Sequence, residues 1–235
     1  MLLMKTSKTS DSGLEPTHTV EDYLMRMYVM ERDQGEIVAA RLAELLEVAQ
    51  PTVAITLRRM ERDGYISGRG RKSLHLTETG LEFAKRTTRR HMLVEWLLVR
   101  TFGVPMKEAH HEAHGIEHAI SPLVESKLIE MLDNPKVCPH GNPLPDFEDF
   151  VKNWTPLIGM KIGEKAIVKR IHEYAEDDEK LLDYLIDHKV IPGTTIELVD
   201  RLDFNQTCTI KVGENLIMLG FHPAKLIFVS KLTDQ

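Results

Sequence analysis

Residues 37–64 read IVAARLAELLEVAQPTVAITLRRMERDG. Ile37 to Leu46 is a short amphipathic stretch, Val48-Ala49-Gln50 a tight connection, and Pro51 suits the first turn of a second helix running to about Arg62, where Asp63-Gly64 stops it. Two short helices joined by a few residues are the helix-turn-helix pattern. Just upstream, Tyr23, Leu24, Met27, Tyr28 and Met30 recur at helical spacing between Val20 and Arg32, and Asp33-Gln34-Gly35 ends that helix. Just downstream, Tyr65–Ser67 and Ser73–Thr77 read as strands flanking Gly68-Arg69-Gly70-Arg71-Lys72, a glycine-rich basic wing.

A winged helix of this kind faces nucleic acid, and the charge agrees. The chain as a whole carries a formal charge of -6, which argues against wholesale coating of nucleic acid. Between Gln50 and Arg90, however, ten basic residues face four acidic ones, for a net +6. A recognition helix presents small hydrogen-bonding side chains to base edges and basic ones to phosphates. Gln50, Thr52 and Thr56, with Pro51 at the start of the helix, fit the first role; Arg58, Arg59, Arg69, Arg71 and Lys72 fit the second. The plain alternative for these cations is a solvated helix face and an ordinary charged hairpin. Ile55 reads as a core residue, with contact to a thymine methyl as the alternative.

Further along, Thr77 can cap a long helix that continues to about Thr101 and breaks at Phe102-Gly103-Val104-Pro105. A second helix is expected from about Met106 to Ala119, and Ser121-Pro122 opens a third ending near Leu132. The prolines at 135, 139, 143 and 145, with Gly141, make 134–147 an ordered turn or linker. Five β-rich runs follow, at 166–171, 195–199, 208–212, 216–219 and 226–229, interrupted by one helix over 178–187. The predicted fold is therefore mainly α with a β-hairpin wing: a flexible arm (1–16), a winged helix-turn-helix domain (17–88), a helical domain ending in the Pro-rich segment (89–150) and a small SH3-like β-barrel (151–235).

The densest chemistry is HHEAHGIEH at 110–118, which holds four of the eleven histidines. On a continuous helix His110, His114, Glu117 and His118 fall at roughly 0, 40, 340 and 80 degrees, one face. His91 and Glu95, four apart, project together in the same way. Any one of these histidines reads most simply as a surface or backbone-satisfied side chain. A face made only of imidazole and carboxylate, however, is costly to bury without a shared cation. A hydrolytic zinc site needs glutamate directly after the first histidine of an i, i+4 pair; His110 is followed by His111, and His111-Glu112-Ala113-His114 has the wrong spacing. A regulatory metal site is the reading that remains. Cys138 and Cys208 stand apart without C-x-x-C spacing, no apolar run reaches ~20 residues, and the first sixteen residues lack a signal-peptide pattern, so a cytoplasmic protein with no membrane partner is expected.

Taken together, Glu21-Asp22-Tyr23-Leu24, Pro51-Thr52-Val53, Arg59-Met60-Glu61-Arg62-Asp63-Gly64, Leu76-Thr77, Arg90-His91 with Glu95, 110–118 and Cys138-Pro139-His140-Gly141-Asn142-Pro143 resemble the diphtheria toxin repressor family of iron- and manganese-responsive regulators. The resemblance spans nearly the whole chain. It implies a DNA-binding domain, a metal-binding dimerisation domain and an SH3-like domain, and a homodimer that binds a palindromic operator when metal is bound. It implies one metal site of Asp22, His114, Glu117 and His118 and a second of His91, Glu95 and His110, with Asp178 and Glu179 as further candidates from the SH3-like part. Aspartate at 22 resembles the manganese-sensing members, whereas iron-sensing members place methionine there; histidine at 114 replaces the usual cysteine or glutamate. Met25 stands where manganese-sensing members can offer glutamate, and it reads better as core than as ligand. Carboxylates and imidazoles without a thiolate favour Mn(II), then Fe(II), with Zn(II) or Co(II) substituting in vitro. The competing functions are a winged-helix regulator answering to a small organic effector and a metal-dependent hydrolase. On the leading reading no organic substrate is expected.

Overall fold

The structure is a computed structural model describing residues 15–68 and 74–232. The arm expected over 1–16 lies outside these residues except for its last two, and so do the wing residues Arg69, Arg71 and Lys72. The chain divides into two compact units, residues 1–84 and 85–235.

In the first unit, helices α1 (His18–Gln34), α2 (Ala39–Leu45) and α3 (Gln50–Arg62) precede a hairpin of β1 (Ile66–Ser67) and β2 (His75–Leu76). Gly35, left-handed at φ 75°, lets the chain turn out of α1, with its N–H on the Glu31 carbonyl. Pro51 sits in the first turn of α3, where its missing N–H costs nothing. Val53, Leu57 and Met60 form the buried stripe of α3, at 4% exposure or less. Each contributes about 1.5–3 kcal/mol of burial and so holds the opposite face of α3 outward. Thr77 caps the next helix, α4 (Glu78–Trp96): its hydroxyl accepts from Gly80 N–H at 3.1 Å.

The boundary between the units falls within α4. In the second unit α4 ends in a π-helical turn (Leu97–Phe102) closed by left-handed Gly103. Helix α5 spans Met106–His114, followed by a 3-10 turn at Glu117–Ala119 and by α6 (Pro122–Met131), whose N-cap Ser121 accepts from Val124 N–H. The expected helix to Ala119 is thus too long. Gly115 and Ile116 break it, so the wheel angles of 117 and 118 do not apply, although the break still brings Glu117 back towards His114. Met92, Leu93, Val94, Leu98, Ala109, Ala113, Leu128 and Leu132 form the core here.

The segment after α6 is the ordered turn of the two alternatives. Residues 138–145 are all buried. Cys138 N–H bonds the Asn142 carbonyl and Gly141 N–H the Cys138 carbonyl, and Ile171 N–H reaches the His140 carbonyl at 2.8 Å. Gly141, at φ 90°, lies so close to the next layer that a Cβ would stand 1.9 Å from the Lys169 carbonyl oxygen, so only glycine closes this turn.

After α7 (Glu148–Val151) come β3 (Thr155–Pro156), β4 (Lys165–Ile171), α8 (Glu173–Glu176), α9 (Glu179–Asp187), β5 (Thr195–Leu202), β6 (Thr207–Val212), β7 (Asn215–Gly220), α10 (Phe221–Leu226) and β8 (Ile227–Lys231). They build one antiparallel sheet ordered β3-β8-β4-β5-β6-β7. All five expected strands are present, with β3 in addition. Because β3 and β7 remain separate edges, the sheet is not a closed barrel. Alternate residues such as Ala166 and Val168, Ile196 and Leu198, and Ile217 and Leu219 bury one face. Helix α9 packs on α5, joining the strand-bearing part to the helical part. No helix among the described residues is long and apolar enough to cross a membrane.

Candidate metal centre and DNA-reading helix

Helix α4 sets His91 and Glu95 one turn apart, with His91 Nε2 3.3 Å from Glu95 Oε1. Helix α5 contributes His110 and His114 in the same spacing, and the turn after it contributes Glu117. These five side chains meet. His91 Nε2 lies 3.0 Å from His110 Nδ1, and His91 Nδ1 bonds Glu117 Oε2 on its other side. His110 Nδ1 is 3.1 Å from Glu95 Oε1, and His114 Nδ1 is 3.4 Å from Glu117 Oε1. The rings of His91, His110 and His114 pack with centroids 4.6–4.9 Å apart. Glu95 and Glu117 are fully buried. His118, towards the rim, is 3.6 Å from Glu117.

The strand-bearing part also reaches in. Glu176 Oε2 of α8 lies 2.9 Å from His110 Nδ1, and Asp177 Oδ1 lies 3.2 Å from His110 Nε2. From the 138–143 turn, His140 Nδ1 approaches Glu95 Oε1 at 3.5 Å and Glu176 Oε2 at 3.6 Å. Buried Asn142 positions Glu176: its amide donates to the Glu176 carboxylate and to the Ile171 carbonyl, and its oxygen accepts from Arg170 Nε. Three sets of donor atoms each fall within 4.8 Å of one another: His91, His110 and His114; Glu95, His110 and Glu176; and Glu95, Cys138 and His140.

Burial and charge oppose each other in this cluster. Burial alone would lower the pKa of His91, but the carboxylates of Glu117 and Glu95 beside it raise it to about 9. Burial would raise Glu117, yet the His91 charge and the bonds from His114 and His91 bring it to about 2. His114 goes the other way, pushed by burial and the neighbouring imidazoles to about 4. Burial is outweighed at His110 by hydrogen bonds to Asp177, Glu176 and Glu95, and at His140 by the charges of Glu176 and Glu95; both are raised. Burial and the nearby carboxylates hold the Cys138 thiol well above its usual range. A cation fits such a donor set. Glu95 Oε2 is buried without a hydrogen-bond partner among the described residues, an arrangement that costs about 1–3 kcal/mol unless something else occupies it.

Residues 16–74 match the family described as "Iron dependent repressor, N-terminal DNA binding domain", 77–146 "Iron dependent repressor, metal binding and dimerisation domain", and 155–231 "FeoA domain". The iron-dependent repressor IdeR of Mycobacterium leprae is 36% identical over 225 residues, covering 91% of this chain and 97% of that protein. The chain belongs to the iron-dependent repressor family. The diphtheria toxin repressor of Corynebacterium diphtheriae is 32% identical over 78% of this chain and 85% of its own length. Among solved structures, a manganese-dependent transcriptional repressor in complex with manganese superposes with a TM-score of 0.80 at 25% identity, covering 91% of this chain and all of that one. The manganese regulator SloR superposes with 0.75 at 27%, covering 93% and 100%.

Within this family plan, His91, Glu95, His110, His114 and Glu117 lie together in the second unit. Asp22, half-buried, and Met25, 4% exposed, lie on α1 of the first unit. Asp178 and Glu179 do not face the cluster. Both are exposed, and Asp178 caps α9 by accepting from Leu181 N–H; the carboxylates that reach His110 belong to Glu176 and Asp177, the two residues directly before Asp178. Sequence reading also missed His140 and Cys138. Cys138 corrects the expectation that no thiol stands near the ligands, since it shares a donor set with Glu95.

On α3 of this repressor-family chain, Gln50, Pro51, Thr52, Arg58 and Arg59 are exposed, as the DNA-reading role requires. Thr56 is half-buried and its hydroxyl donates back to the Thr52 carbonyl at 3.0 Å, which removes its donor from base recognition. Ile55 is not core: it is 66% exposed.

Proposed function

We propose that this protein is a divalent-metal-activated transcriptional regulator, a repressor that binds operator DNA as a cytoplasmic homodimer and is not an enzyme. The observation that carries this reading is the buried cluster of imidazoles and carboxylates in a chain whose first unit exposes a helix-turn-helix. In this reading Asp22, His114, Glu117 and His118 form one ligand set, as the family resemblance implies. His91, Glu95 and His110 form a second, to which the structure adds Glu176 and His140 as neighbours. A bound cation would supply the positive charge that Glu95 and Glu117 otherwise take from protonated imidazoles. His91 and His110 would give up their protons, Asn142 would hold Glu176 in place, and the surrounding apolar core would exclude water.

The proposed activator is Mn(II), with Fe(II) next. Asp22, Glu117, Glu95 and Glu176 bring hard oxygens that suit both ions, and geometry instead of raw affinity must exclude Zn(II). The test is anaerobic titration of operator binding with Mn(II), Fe(II), Co(II) and Zn(II). Activation by Mn(II) and Fe(II) is expected; activation by Zn(II) alone would overturn the choice of metal, and indifference to every ion would overturn metal regulation itself.

Phosphate contact by Arg58 and Arg59 predicts a steep salt dependence. Two protomers, each neutralising several phosphates, should lose on the order of a thousandfold in affinity between 50 and 200 mM salt. Arg58→Ala with Arg59→Ala should flatten the log–log slope without changing base preference. An unchanged slope would remove these arginines from the interface.

A further inference from the structure

We infer that Ile55 is a specificity-determining residue, packing on the 5-methyl group of a thymine in each operator half-site. The inference rests on the DNA-binding reading above. Val38 and Ile55 are the exposed large apolar side chains among the described residues of the first unit, at 39% and 66%; only Ile55 stands on the recognition helix. It follows Pro51 by four residues and precedes Arg58 by three, so the three share the outward face of α3 opposite Val53, Leu57 and Met60. Exposing a branched aliphatic side chain among cations forgoes the burial that its neighbours on α3 obtain, and a DNA major groove supplies the matching partner. Arg58 and Arg59 beside it complement phosphates, and the thymine methyl is the apolar feature of the groove floor.

Hydrogen-bond readout is weak at this point of the helix. Thr56 has turned its hydroxyl onto the Thr52 carbonyl, and Ala54 offers no polar group. Gln50 and Thr52 remain for polar readout near the helix start. Ile55, stiff at χ1 because it is β-branched, presents a fixed apolar surface beyond them.

The experiment uses the full-length, metal-loaded protein and a duplex selected by it from a random pool. Each thymine in a half-site is replaced in turn by deoxyuridine, which lacks only the methyl group. One thymine per half-site should prove sensitive, with about fourfold weaker binding for one replacement and about fifteenfold when both half-sites are changed. Ile55→Ala should bind the thymine and uracil duplexes alike, whereas Ile55→Val should still prefer thymine. Because the side chain is exposed, neither variant should alter the melting temperature. Indifference of the wild type to every replacement, or an equal thymine preference in Ile55→Ala, would overturn the inference. Metal-dependent selection of a sequence separately checks the DNA-binding reading; if it holds while thymine is ignored, only the role of Ile55 falls.

Discussion

Replacing Glu117 by glutamine is expected to weaken metal-activated operator binding more than about a hundredfold, since disturbing even the outer partners of metal ligands costs 10–100-fold. Glu117 is fully buried and bonds His91 while lying 3.4 Å from His114. Glutamine keeps the shape but not the anionic donor, and leaves a protonated His91 with Glu95 as its remaining carboxylate. Stability without metal should fall by up to roughly 3 kcal/mol, because breaking a buried pair exposes the surviving charge to a low-dielectric surrounding. Circular dichroism and size-exclusion chromatography should still show a folded dimer. Asp22→Ala should give the same loss of DNA binding with little change in stability. Full Mn(II) activation of either variant, measured by fluorescence anisotropy, would sink the proposed ligand set.

Metal affinity should also rise steeply with pH. His91 keeps its proton up to about pH 9, and His110 and His140 are raised as well, so each imidazole that becomes a ligand must first release a proton. Below its pKa a displaced proton multiplies the apparent affinity by about ten per pH unit, so His91 alone gives about a hundredfold between pH 6 and 8, and the raised His110 steepens that rise. His114, at about 4, is already neutral there, and Glu117, at about 2, already anionic. Hence His114→Ala should lower the affinity without changing the pH slope, whereas His91→Ala should reduce the slope by about one proton. Calorimetry in buffers of different ionisation enthalpy counts the protons directly. A flat profile between pH 6 and 8 would show that the imidazoles bind metal without losing protons.

What could be read from sequence was local. The start of α3 at Pro51, the caps at Thr77 and Ser121, the stop at Gly35 and the alternation of β4 to β8 are each set by a few neighbouring residues, and each was legible. The break after His114 was not. Glycine at 115 is tolerated inside helices, and the turn of the chain there depends on where Glu117 finds its partners. Helix α8 is four residues long, below the reach of any periodicity, and the family resemblance points to Asp178 and Glu179, just past the Glu176 and Asp177 that reach His110. His140 and Cys138 lie in a Pro-rich turn whose placement is set by hydrogen bonds to residues about thirty positions later. Between core and a thymine methyl, the apolar character of Ile55 leans towards core in the sequence; only the fold shows that the buried stripe of α3 runs through Val53, Leu57 and Met60 and bypasses it.

The Asn142 side chain has a bearing on how such proteins can diverge. It ties the 138–143 turn to Arg170, Ile171 and Glu176 at once, with Gly141 pressed against Lys169. The FeoA segment is therefore not an interchangeable appendage. A chimera that imported residues 151–235 from a distant relative would bring a foreign β4 and α8 to a resident turn, and a mismatch of one side chain would misplace a carboxylate beside the histidines. The turn and the strand it grips form a single inheritable block, although more than twenty residues separate them in the chain.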